Sequence, residues 1–333
     1  MYRAPRIATP LWLVLLLASL VACAGTTGPG LDADDPVIER SDTPRLVALG
    51  TAQDGGFPHA ACSCAQCERA RTRPGDARLI ASLALVLPSP TRTYLIDATP
   101  DIRPQLDRLR ALRGTTAGRV DRVPVDGVFL THAHLGHYTG LAFFGYESIH
   151  TRDLPVFCTP SMASYLEANG PWSQLVRLEN VELHPTEPGR SIDLDATVTV
   201  TAIRVPHRDE YADTVGFIFR GPARSAIYVP DTDSWSAWEP SLIDVLDGID
   251  VAIIDATFFS AAELPGRDVS KIGHPLIEAS MDLLEPLVKA GLLEVYFTHL
   301  NHSNPAIFVD SPEHREIERR GFAVLAEGQE IPL

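Results

Sequence analysis

The chain has 333 residues, 45% of them hydrophobic and 21% charged, with a formal net charge of −15. That composition is globular rather than disordered, and the length supplies a sizeable buried core. The acidic balance, with no basic run along the chain, repels a phosphate backbone and argues against nucleic acid as a partner.

The first residues read as an export signal. Arg3 and Arg6 precede an apolar run at 11–20, "LWLVLLLASL", too short to span a bilayer comfortably. "LVAC" ends at Cys23 and resembles a bacterial lipobox, which implies a signal peptide over 1–22 and a lipidated Cys23. Ala24 in place of an Asp points to the outer membrane. The expected location is therefore the cell envelope, on the periplasmic face, with the lipid as the only membrane contact. No Arg-Arg pair adjoins the signal, so export unfolded is expected, with metal loaded outside the cytoplasm. Gly, Pro and Asp dominate the segment after Cys23, and 23–44 reads as lipidated Cys plus flexible tether. A single domain is expected over 45–333, and no second apolar stretch is long enough to span a membrane.

Within that domain strands and helices alternate. "RLVALG" (45–50) is a strand, and "IASLALVL" (80–87) pairs with "TYLIDA" (93–98) around "PSPTR". Helical spacing covers 101–113, with Pro104 near the first turn. "VDGVFL" (125–130) is a strand running into a histidine cluster, and a helix is expected behind it at 140–149. "LPVFCT" reads as a strand holding a buried Cys158, and "SMASYLEAN" as a helix. Short alternating runs make 190–230 β-rich. "VAIIDAT" (251–257) is a buried strand, 274–291 an amphipathic helix ending at Gly291, and "LEVYFTHL" (293–300) the last core strand. The mix predicts two sheets with helices outside.

Polar residues recur just after these strands: Asp97, His132, His134, His137, His207, Asp231, Asp255 and His299. Strand ends at one sheet edge can bring such residues together on rigid supports. His132 and His134 are two apart and point the same way in an extended segment. His137, after Gly136, can turn to a second position. Imidazole suits zinc and iron, and a carboxylate can bridge two ions. Separately, "CSCAQC" supplies Cys62, Cys64 and Cys67, three thiols that an oxidising compartment would leave unsafe unless something occupies them.

The order "HAHLGH", His207, Asp231, His299 resembles the metallo-β-lactamase superfamily pattern H-x-H-x-D-H followed by His, Asp and His. The resemblance covers about 45–330 and implies a four-layer αββα sandwich with a metal site between two sheets. "LGTAQDGGFPHAACSCAQC" and "THLNHSNP" resemble the branch of the pyrroloquinoline quinone biosynthesis protein B group and the phosphonate-breakdown cyclic phosphodiesterase, and more distantly tRNase Z. They argue against an antibiotic-hydrolysing member. The resemblance implies that His132, His134 and His207 hold one metal and His137 and His299 a second, with Asp231 bridging and Asp97 orienting a ligand. It also implies a structural zinc on Cys62, Cys64, Cys67 and His302, with His59 the competing fourth ligand. His274, at the opening of a helix, is the expected general acid, since relatives carry a phosphate-contacting histidine there.

Gly136 stands where the superfamily pattern has an aspartate that ligates the second metal. Three readings stay open: the second position is weak or empty, Asp54 in "TAQDGGFPH" substitutes from a glycine-rich loop, or the site runs different chemistry. The function expected is metal-dependent hydrolysis of a small-molecule ester, a phosphodiester above all, with one or two zinc, manganese or iron ions. Alternatives are a mononuclear iron oxidoreductase related to the pyrroloquinoline quinone proteins, and a non-catalytic binding lipoprotein.

Overall fold

The computed structural model describes residues 41–333 apart from 89, 114–117 and 269–270. The expected signal peptide, Cys23 and most of the expected tether lie outside the described residues. Among the described residues no helix is long and apolar enough to cross a membrane.

The first half of the domain lays down β1 (Arg45–Gly50), β2 (Ser82–Pro88), β3 (Thr91–Ile96), β4 (Gly127–Phe129), β5 (Leu154–Cys158) and β6 (Val181–Pro185). The second half lays down β7 (Ser191–Asp193), β8 (Thr199–Arg204), β9 (Val215–Arg220), β10 (Ser225–Val229), β11 (Val251–Asp255), β12 (Glu294–Thr298) and β13 (Ala323–Val324). β14 (Glu330–Pro332) then returns to pair with β1. The two seven-stranded sheets run β14-β1-β2-β3-β4-β5-β6 and β13-β12-β11-β10-β9-β8-β7. Each is mixed: β3 to β6 and β10 to β13 are parallel, and the pairs β1–β2, β2–β3, β8–β9 and β9–β10 are antiparallel.

The central strands read as continuous apolar runs because both faces are covered. In β1, Leu46 and Ala48 pack between the sheets while Val47 and Leu49 face a helical layer. In β11, Val251 and Ile253 point inward and Ala252 and Ile254 outward. Eight helices complete the frame among the described residues: α1 (Ala65–Thr72), α2 (Ile102–Arg113), α3 (Leu135–Tyr138), α4 (Pro160–Ala168), α5 (Trp172–Arg177), α6 (Leu242–Val245), α7 (Ile277–Lys289) and α8 (Pro312–Arg319). Ile102 and Leu109 of α2 and Met162 of α4 cover one sheet, and Ile277, Met281 and Leu284 of α7 cover the other. This is the four-layer αββα sandwich that the resemblance implied. Cys158 is buried in β5, where burial pushes its thiol up to about 12.

Three local expectations need correction. The helix expected at 140–149 is instead the four-residue α3 followed by a 3-10 turn over Thr139–Phe144; Gly140 and Gly145 and the close approach of Gly140 to the Ala98 and Thr99 carbonyls favour a tight turn over a longer helix. His274 does not open a helix, because α7 begins at Ile277 after Pro275 and Leu276. β12 is not the last core strand, since the short β13 and β14 each extend one sheet. Strands of two and three residues carry too little periodicity to be read from the chain.

Candidate metal centre

The loops that leave β1, β3, β4, β8, β10, β11 and β12 meet at one edge of the sandwich. The β1 loop is stitched into this edge: Gln53 N–H donates to the Leu300 carbonyl, Leu300 N–H donates to the Thr51 carbonyl, both at 2.9 Å, and Ala52 bridges to Ile80 and Leu300. Asp54 is thereby set beside His299. Asp97 and His299 both hold left-handed backbone, at φ 66° and 62°. Such conformations cost about 1–3 kcal/mol each and cluster where a site over-determines them.

His132, His134, His207 and Asp231 offer donor atoms within 4.8 Å of one another, as do Asp54, His137 and His299. In the first group His132 Nε2 and His207 Nε2 lie 2.9 and 3.2 Å from His134 Nδ1, and 3.4 and 3.1 Å from Asp231 Oδ2. In the second, Asp54 Oδ1 is 3.3 Å from His137 Nε2 and 3.6 Å from His299 Nε2, and His299 Nε2 is 4.0 Å from Asp231 Oδ2. Bonds of about 2.0–2.2 Å at tetrahedral angles would separate donor atoms by roughly 3.3–3.6 Å. Three of these atoms are buried without any hydrogen-bond partner: Asp54 Oδ1, His137 Nε2 and His299 Nε2. Orphaned polar atoms converging on a common space fit a cation there.

Every imidazole of the two groups has its other nitrogen occupied. Asp97 accepts from His137 Nδ1–H at 2.7 Å, and Asp233 from His207 Nδ1–H at 2.8 Å. His134 Nε2 lies 3.2 Å from the half-exposed Glu210. Two threonine relays do the same work. The Thr131 hydroxyl donates to Asp97 and so accepts from His132 Nδ1–H at 3.0 Å; the Thr257 hydroxyl donates to Asp255 and accepts from His299 Nδ1–H at 3.1 Å. Each partner leaves a lone pair aimed at the centre and raises ligand basicity. Asp233 and Glu210 were not singled out from the sequence. Asp233 had a signal, lying two residues after Asp231 on the same side of an extended segment; Glu210 had none.

The electrostatics follow from burial against mutual charge. Burial opposes ionisation of Asp54 and Asp231, yet the surrounding histidines hold both carboxyls well below their ordinary range. Burial also disfavours a charged His137, but Asp97 and Asp54 outweigh it and hold that imidazole well above its usual value. His132 goes the other way, pushed down first by burial and then by His137. His274 lies beside the second group. Its Nδ1 is 2.9 Å from Asp255 Oδ2 and 3.2 Å from Asp231 Oδ1, and these carboxylates raise it against the cost of burial.

Cys62, Cys64, Cys67 and His302 form a separate group. All three sulfurs surround His302 Nδ1, at 3.6, 3.6 and 3.7 Å. Zinc bonds of about 2.3 Å to sulfur and 2.0 Å to nitrogen, at tetrahedral angles, would place those atoms roughly 3.6 Å apart. His59 is not in the group: its Nδ1 lies 2.8 Å from the Ala60 carbonyl oxygen and its ring packs against that of His302.

Comparison with known proteins agrees with this architecture. The coenzyme PQQ synthesis protein B of Cupriavidus necator is 28% identical over 311 residues, covering 86% of this chain and 99% of its own. Among solved structures, Zn(2+)-bound PqqB from Methylobacterium extorquens matches with TM-score 0.73 and 23% identity over 87% of this chain and 100% of that one. A diphosphatase from the PhnP family matches with TM-score 0.62 and 23% identity over 87% and 97%. The family described as Beta-lactamase superfamily domain matches residues 92–300, from β3 through His299. With two mixed sheets between helical layers, and with that match spanning most of its strands, the chain belongs to the β-lactamase superfamily domain family.

Proposed function

We propose that the chain is a metal-dependent hydrolase of a small ester, with a phosphodiester the best-matched substrate. The observation that carries this reading is the pair of donor groups meeting at Asp231, one of three histidines and one of Asp54, His137 and His299. Zinc, manganese or iron held there would supply Lewis-acid polarisation of an ester oxygen and acidify water near neutral pH. Asp97, Asp233, Glu210, Thr131 and Thr257 orient the histidines. Asp255 engages His274 Nδ1, which leaves Nε2 as the ring nitrogen able to deliver a proton to a departing alkoxide. The fold is shared with the PhnP-family diphosphatase, a protein named for cleaving a phosphorus–oxygen bond. Metal-dependent turnover of bis(p-nitrophenyl) phosphate tests the reading, and the absence of turnover with zinc, manganese and iron in turn would refute it. His274→Ala should lower kcat more than it raises KM; a change in KM alone would sink the proton-donor role.

A second reading, related to the proteins named for coenzyme PQQ synthesis, is an iron oxidoreductase with one metal on His132, His134 and His207, three imidazoles that suit iron. Oxygen uptake by an iron-loaded sample would support it. We further infer a structural zinc at Cys62, Cys64, Cys67 and His302, a small-molecule substrate with no nucleic-acid partner, and attachment to the cell envelope through lipid on Cys23. Cys23→Ala should move the protein from the membrane fraction to the soluble one.

A further inference from the structure

Gly136 leaves the second donor group without the aspartate that the superfamily pattern puts at that position. The structure shows what fills the space. A Cβ built on Gly136 would run into Asp54, 2.7 Å from its Cγ and 2.9 Å from its Cα. The clash with the Asp54 backbone matters most, because the Gln53 and Leu300 hydrogen bonds hold that backbone in place. A side chain at 136 therefore cannot coexist with the present β1 loop, and Asp54 cannot hold its position against anything larger than glycine at 136.

Asp54 also occupies the right electrostatic position. Its Oδ1 lies 3.3 Å from His137 Nε2 and 3.6 Å from His299 Nε2, and none of these three atoms has a hydrogen-bond partner. His137 and His299 are fully buried. Asp97 and Thr257 hold the opposite ring nitrogens, so both Nε2 atoms face the carboxylate. Two imidazole nitrogens and a carboxylate oxygen turned to one buried space at these distances are a donor set that fits a cation.

We propose that Asp54 and Gly136 are an exchanged pair: the carboxylate of the second metal position comes from the β1 loop, and glycine at 136 leaves the room that admits it. The inference rests on the metal-dependent reading above and deepens it by assigning the ligand. It predicts that restoring an aspartate at 136 alone damages the site, whereas moving the carboxylate from 54 to 136 repairs it. Under this assignment Gly136 is no sign of a lost second metal.

Zinc bound per chain, counted on the full-length protein by elemental analysis, tests the exchange, with circular dichroism melting as a second readout. Wild type should hold three zinc ions, one of them at the cysteine group. Asp54→Asn, which keeps the shape and removes the charge, should hold two, with affinity for the third at least about tenfold weaker. Asp54→Gly serves equally should the amide perturb folding. Gly136→Asp should melt at lower temperature than wild type and also lose an ion, and the double variant Asp54→Gly/Gly136→Asp should recover both the third ion and the melting temperature. The exchange is overturned if Asp54→Asn keeps the wild-type count, if Gly136→Asp alone melts and binds as wild type does, or if the double variant recovers neither property. The two levels of the argument separate at the wild type. A single zinc there, lost with His302→Ala, with neither manganese nor iron bound, would overturn the metallohydrolase reading itself. Two zinc ions, unchanged by Asp54→Asn, would overturn the exchange alone.

Discussion

At the cysteine group, three donors come from six consecutive residues where a loop enters α1, and the fourth from a single distant histidine. At the histidine group, donors arrive from the loops after β1, β4, β8, β10 and β12. The first is partly exposed, and among the described residues no carboxylate bonds the His302 ring. The second is more deeply buried, and each of its imidazoles is held from behind by a carboxylate or by a hydroxyl that is itself bonded to one. A group that only has to hold an ion needs matched distances. A group that has to present an ion to a substrate also needs each ligand fixed in tautomer and direction, and that fixing is what Asp97, Asp233, Asp255 and Glu210 supply.

The largest effect that would sharpen this contrast is expected at Asp231, whose carboxylate lies between both donor groups. Asp231→Asn should cost several kcal/mol of transition-state stabilisation, about a thousandfold in kcat/KM, with little change in melting temperature of the metal-free protein. Retention of most activity would mean that the two groups work independently. Next comes His302→Ala. Loss of a structural metal is worth on the order of 4 kcal/mol, and at about 2–4 °C per kcal/mol the melting temperature should fall by roughly 10 °C. One zinc should be lost and the histidine group should stay loaded, because Asp54 is pinned through Ala52 and Gln53 as well as through the cysteine loop. Loss of two ions would break the comparison and show the groups to be coupled through residues 54–67.

Smaller effects grade the supporting residues by burial. Asp97 is fully buried and serves both His137 and, through Thr131, His132. Asp97→Asn should weaken metal affinity by about 10–100-fold in a competitive chelator titration. Glu210 is half exposed, with a side chain 49% accessible, and supports His134 alone. Glu210→Gln should change affinity by less than about tenfold, because water screens and replaces its contact. Equal losses at the two positions would show that burial is not what sets their weight.

Much of the site was legible in the chain because its donors sit at fixed places relative to apolar strands. "GVFL" before His132, "IRVP" before His207 and "IYVP" before Asp231 each announce a strand whose end carries a polar residue. The strand at 45–50 was readable to the residue for the same reason. Short elements were not: α3 has four residues, too few for a helical period, so the sequence suggested a longer helix behind it. His274 looked like a helix opener because its segment is amphipathic, yet Pro275 and Leu276 intervene before α7 starts.

By itself the sequence determined the apolar strand pattern, the two sheets with helices outside that follow from it, and the chemistry of the donors, since side-chain type and local spacing are properties of the chain; the four-layer class came from the family resemblance. Only the tertiary structure decided that Asp54 lies against Gly136 and faces His137 and His299. Whether Asp54 reaches His137 depends on a loop pinned to Leu300, about 250 residues away along the chain. Pairings of that range are set by how two sheets pack, and no local pattern encodes them.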